Sequence, residues 1–174
     1  MQPDINRILY ATDLSPNSTH AMRYASKIAR QNNASLVILH VVEAPSPTTF
    51  ALLSSFIEHA EMKAKRAERV NFHIEQIRQR LDQLCEKECR YDPDLVTRVE
   101  KVEVHEGFPA EEILKEVDAS DCDMIVMGTH GKGPLEHTFV GSVARQVLRR
   151  ASRPVLVIPL PKTAGKLKQA AEDI

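Results

Sequence analysis

The chain has 174 residues, 43% of them apolar and 27% charged, with 23 basic against 24 acidic side chains and a formal net charge of −1. That length suits one domain with a sizeable core, and the balanced charge supplies no global field for nucleic acid. No apolar run approaches the roughly 18 residues of a membrane span, so a soluble globular protein without a nucleic-acid partner is expected.

The opening stretch "MQPDINRILYATD" lacks the basic segment, apolar core and cleavage site of a secretory signal, which predicts a cytoplasmic location. Ile5 to Ala11 reads as the first strand. In "NSTHAMRYASKIARQNN", Ala21, Met22, Ala25, Ile28 and Ala29 share one helical stripe, with Ser15, Asn17 or Ser18 as candidate N-caps. Ser35 to Val42 is the second strand, and the Pro-, Ser- and Thr-rich "EAPSPTTFALLSS" after it predicts a mobile loop.

Phe56 to about Lys87 is the longest helical pattern. Ala60, Ala67, Ile74 and Leu81 recur every seven residues, with Val70, Ile77 and Leu84 between them. A seam of only about three heptads and one strip is expected to pack on a sheet, not on a coiled-coil partner. Lys63, Lys65, Arg66 and Arg69 alternate there with Glu58, Glu61 and Glu68, as on a solvated face. Cys85 and Cys89 lie one helical turn apart and Cys122 stands alone; this odd set without metal-type spacing predicts free, structurally passive thiols.

Arg98 to His105 alternates like an edge strand, whereas Asp123 to Gly128 and Pro154 to Pro159 are near-continuous aliphatic runs, as in a parallel sheet covered on both faces. Between them, Pro109 opens a helix with two glutamates in its first turn. Ser142 to Arg150 forms another, with Arg149 and Arg150 at the negative end of its dipole. The last segment, "PKTAGKLKQAAEDI", reads as a charged tail. Strands alternating with helices predict a single doubly wound α/β layer. Such a fold opens a crevice at the C-terminal ends of neighbouring strands whose connections leave to opposite faces.

Four of the six glycines fall within "GTHGKGPLEHTFVGS", which joins the fourth strand to the following helix. Glycines let backbone amides approach an anion, and a helix N-terminus adds unpaired N–H donors and a positive dipole end. The segment therefore predicts a phosphate site. It is neither a Walker A loop, whose lysine is placed differently, nor the dinucleotide GxGxxG, since "ATDLSPNS" follows the first strand.

Gly128, Gly131, Gly141 and Ser142 do satisfy G-x2-G-x9-G followed by Ser or Thr. With "ILYATDLS", "LVILHVV", "DMIVMGTHGKG" and "GSVARQVLRRASRPVLVIP", the chain resembles the universal stress protein family, in particular its ATP-binding branch. The resemblance implies a five-stranded parallel sheet of order 3-2-1-4-5, Rossmann-like and similar to the adenine nucleotide α-hydrolases, spanning residues 1–160 with 161–174 as the tail. It also implies that Asp13 binds ribose hydroxyls, that backbone groups at Val41 read adenine, and that Gly128, Gly131, Gly141, Ser142 and Val143 hold phosphates. Thr12 either touches the ribose or finishes the strand, and Lys132 is a mobile charge near the γ-phosphate. Helix capping is the alternative for Asp13 and Ser142, and a plain turn for Gly131.

The implied cofactor is ATP with Mg2+ or Mn2+ held by its phosphates, with no metal ligand from side chains. No catalytic residue is assigned: His130 and His137 are read as exposed loop histidines. His40 and His105 are read as satisfying local hydrogen bonds. A homodimer through the last strand, Pro154 to Ile158, is implied as well, which would cover an apolar edge. The expected function is that of a nucleotide-dependent stress-response or signalling module, in which hydrolysis or autophosphorylation is slow and secondary. The alternatives are a nucleotide-activating enzyme of the α-hydrolase type and an interaction module without nucleotide.

Overall fold

The computed structural model describes residues 4–43, 61–90, 92–129 and 140–159. Its elements are β1 (Arg7–Thr12), α1 (Pro16–Asn32), β2 (Ser35–Glu43), α2 (Glu61–Glu88), α3 (Leu95–Arg98), β3 (Val99–Gly107), α4 (Pro109–Ala119), β4 (Met124–Gly128), α5 (Ser142–Arg150) and β5 (Val155–Ile158). All strand pairings are parallel and the order is β3-β2-β1-β4-β5, as expected from the sequence.

Successive residues of a strand face opposite sides of the sheet, which explains the unbroken aliphatic runs of the central strands. From β1, Ile8 and Tyr10 enter the core shared with Ala21 and Met22 of α1 and Leu81 of α2. Leu9 and Ala11 enter the core shared with Ile113 and Val117 of α4 and Val147 of α5. The long helix thus packs on the sheet through Ile74, Ile77, Leu81 and Leu84. Ala60 lies outside the described residues, as do the side chains of Ala67 and Val70. So do the loop expected at residues 44–55 and the tail. β3 buries only Val104 fully, consistent with an edge.

Local chemistry sets the helix ends. Ser15 is the N-cap of α1, its side chain accepting from the Ser18 backbone N–H at 3.3 Å. Asn33 closes that helix in the left-handed region at φ 53, a conformation its short polar side chain tolerates. At the N-terminal edge of the sheet, Asp123 Oδ2 accepts from the backbone N–H groups of Asn6 (2.8 Å) and Arg7 (3.0 Å). Arg7 also grips both oxygens of Glu100 at 3.0 and 2.9 Å and donates to the Ser120 carbonyl. The Ser35 hydroxyl and then Arg7 hold the Glu100 carboxyl below its usual range. This clasp joins the starts of four strands.

The thiols are free, but two of them are not passive. Cys85 belongs to the α1/α2 core and Cys122 is fully buried in the opposite one. Each fills apolar volume as a small hydrophobe, which the cysteine spacing alone does not reveal. Burial pushes both thiols up to about 12.

Candidate functional site

A cavity of about 540 Å³ opens at the C-terminal ends of β1, β2 and β4, between the N-terminal ends of α4 and α5. This is the point where the chain leaves neighbouring strands β1 and β4 toward opposite faces of the sheet. Thr12, Asp13, Val41, Gly128, Gly141, Ser142 and Val143 all line it. Gly131, Lys132, His130 and His137 lie outside the described residues.

The β1–α1 turn is built by its own side chains. The Leu14 N–H donates to Thr12 Oγ1 at 3.1 Å, so the Thr12 hydroxyl closes the turn while lining the cavity. Asp13 Oδ1 accepts from the Ser15 N–H at 3.1 Å and from the Ser15 hydroxyl at 2.7 Å. Between them Leu14 sits at φ 61, an unfavourable conformation for a branched side chain that the flanking bonds sustain. Because Ser15 is the cap of α1, Asp13 is not. Its second oxygen, Oδ2, is buried and has no hydrogen-bond partner among the described residues.

Across the cavity, Gly141 is the N-cap of α5, its own N–H donating to the Thr129 carbonyl at 2.7 Å. Ser142 is the first helical residue, not the cap, and the cap residue, a glycine, offers no side-chain bond of its own. The first turn of α5 holds no acidic residue and the last turn holds Arg149 and Arg150. Among the described residues the dipole is therefore complemented only at its C-terminal end, with the N-terminus at the cavity wall suited to an anion.

Sequence reasoning did not place Ile77 of α2 or Pro109 and Ile113 of α4 here; they add apolar lining, Ile77 packed against the α1/α2 core and Ile113, like Val41, against the opposite one. His40 also lines the cavity; it is buried, with Nδ1 2.7 Å from the Thr12 carbonyl oxygen. That contact is the local hydrogen bond read for it from sequence. Among the described residues, no group of three or more His, Cys, Asp or Glu side chains is arranged to hold a metal ion, and no helix is long and apolar enough to cross a membrane.

The sequence profile of the universal stress protein family matches residues 4–159. Universal stress protein MJ0531 of Methanocaldococcus jannaschii is 30% identical over 169 residues, covering 90% of this chain and 83% of that one. Universal stress protein MJ0577 of the same organism is 29% identical over 163 residues, covering 87% and 93%. The solved structure of MJ0577 superposes with a TM-score of 0.63 at 24% identity, covering 92% of this chain and 99% of that one. A universal stress protein solved in complex with cAMP superposes at 0.51 with 19% identity, covering 90% and 98%. With nearly the whole chain matched and the sheet order in agreement, this protein belongs to the universal stress protein family.

Proposed function

We propose that this protein is an adenine-nucleotide-binding stress-response module of the family's ATP-binding branch. The observation that carries the reading is the buried, unpartnered Asp13 Oδ2 in the cavity wall. Leaving such an oxygen without a donor costs about 1–3 kcal/mol or more for a charged group, and ribose hydroxyls supply the missing hydrogens. Phosphates do not, since they bring only acceptors and like charge. They belong instead at the N-terminus of α5, whose cap is Gly141 and where backbone N–H groups and the dipole favour anions.

The cavity volume lies within the usual range for small-molecule sites, and its apolar lining, Val41 and Ile113 from one core and Ile77 from the other, suits a base. In this reading Gly131 and Lys132 complete the phosphate loop. Mg2+ or Mn2+ arrives on the phosphates and offsets their charge. A protein of the same fold is solved with a cyclic nucleotide, in keeping with a nucleotide in this crevice. We assign the binding unit to residues 1–160 with 161–174 appended, and its output to a change of conformation or partner. Mass spectrometry of ligand released from purified, denatured protein is expected to find adenine nucleotide. Calorimetry is expected to show Mg-ATP binding more tightly than inorganic triphosphate. Finding no released nucleotide and no binding heat would overturn the reading.

The last strand supports a homodimer. Among the described residues β5 pairs only with β4, and Val155, Leu156 and Val157 are half-buried, which leaves an apolar edge for a second copy. Two copies meeting there across a two-fold axis close it. The wild type is expected to sediment as a dimer and Val157→Lys, once shown folded by circular dichroism, as a monomer. A dimer that survives the substitution moves the interface elsewhere.

A further inference from the structure

We infer that His40 is a positioning residue that aims Asp13 at its ligand through the Thr12 peptide. The inference rests on the nucleotide reading of the cavity. Thr12 is the last residue of β1 and its register partner on β2 is His40. The Nδ1 atom of His40 lies 2.7 Å from the Thr12 carbonyl oxygen in a buried setting. A carbonyl can only accept, so Nδ1 carries the hydrogen and the tautomer is determined.

The Thr12 carbonyl belongs to the peptide plane that also contains the Asp13 nitrogen. Holding that oxygen holds the point from which the Asp13 side chain departs. Everything after it is a turn sustained by side-chain bonds, with Leu14 at φ 61 and Asp13 Oδ1 engaged by Ser15. The bonds from Thr12 and Ser15 tie this turn to itself, whereas the His40 bond ties its root to the neighbouring strand. The β1–β2 pairing ends at Thr12, so loss of the His40 bond leaves the last peptide of the strand less firmly held and lets the turn tilt Oδ2 away from its ligand-facing position. The carboxylate then has to be brought back and desolvated each time ligand binds, which weakens affinity by loss of preorganisation.

Asparagine and glutamine separate this role from mere packing. The amide nitrogen of Asn can occupy the position of the His Nδ1 and still donate to Thr12, whereas the amide of Gln lies one carbon farther out, near the Nε2 position. His40→Gln is expected to weaken Mg-ATP binding about fivefold, the range of one lost neutral hydrogen bond, while His40→Asn stays near wild type. In an Asp13→Ala background, His40→Gln is expected to change affinity by less than about twofold, since the group it positions is gone.

An equal loss in both backgrounds, a His40→Gln protein that binds like wild type, or a His40→Asn protein as weak as His40→Gln each overturns the inference while leaving nucleotide binding standing. A wild type that takes up no Mg-ATP overturns the nucleotide reading and this inference with it. If a variant fails to fold, the long-range 1H–15N spectrum of the wild-type imidazole decides: the Nδ1–H tautomer is expected, and an Nε2–H tautomer overturns the assignment.

Discussion

Asp13→Ala is expected to lower Mg-ATP affinity about ten- to a hundredfold and to remove the preference for nucleotide over inorganic triphosphate. The magnitude follows from hydrogen bonds to a charged group, worth roughly 1.5–3 kcal/mol. The loss of preference follows from geometry, because the carboxylate sits in the β1–α1 turn while the proposed phosphate end lies across the cavity at α5. Stability should respond differently. The substitution removes two bonds to Ser15, and it also removes a buried oxygen without a partner. These changes oppose each other, so the melting temperature is expected to shift by only a few degrees in either direction, and an increase would mark the site as strained for function. Calorimetric titration with both ligands checks the first claim and a thermal melt the second. Wild-type affinity in the variant would remove the ribose role from Asp13.

Above pH 9 the folded state is expected to lose stability steeply. Cys85 and Cys122 are held protonated by burial, with thiols pushed up to about 12, whereas in the unfolded chain they ionise from about pH 8.5. A group whose folded value is raised contributes fully below its unfolded value and loses that contribution as pH climbs toward the folded one. Each thiol is thus expected to cost about 1.4 kcal/mol per pH unit between roughly pH 9 and 12. Tyr10 adds to the slope above pH 10, because burial also raises its phenol, whose hydroxyl donates to the Ser18 carbonyl at 2.5 Å. Urea denaturation at pH 7.5, 9 and 10.5 measures the slope. Cys122→Ala should halve the part due to the thiols while costing some packing at neutral pH. A flat profile would mean that the thiols ionise inside the fold.

The architecture was legible because its strongest signals are local. Aliphatic runs, the helical stripe of α1 and the Pro109 start of α4 each report on a single segment, and strand order followed from the resemblance. Boundaries were less legible. β1 begins at Arg7, after Ile5, because the Asn6 and Arg7 N–H groups are taken by the Asp123 carboxylate, a partner 116 residues from Arg7. The four-residue α3, with its buried Leu95, is too short to show a period. At the site, motif positions such as Asp13 and Ser142 were readable because their residue types carry the chemistry. Ile77 and Ile113 were not, since an apolar residue on a helix looks the same whether it meets a core or a ligand. The capping alternative for Asp13 could be settled only by seeing which hydroxyl receives the Ser18 N–H.

Placing β1 in the middle of the sheet also orders events at the ribosome. β1, α1 and β2 can assemble as soon as the first forty or so residues are free, yet the other side of β1 waits for β4, from Met124 onward. At typical synthesis rates that interval is on the order of ten seconds, during which an aliphatic strand has one uncovered edge. The pairing that finally covers it joins distant parts of the chain, which makes it slow on the scale of small domains. A nascent chain halted before Met124 is therefore expected to be more aggregation-prone than one released after β5, which can close its sheet on both sides of β1.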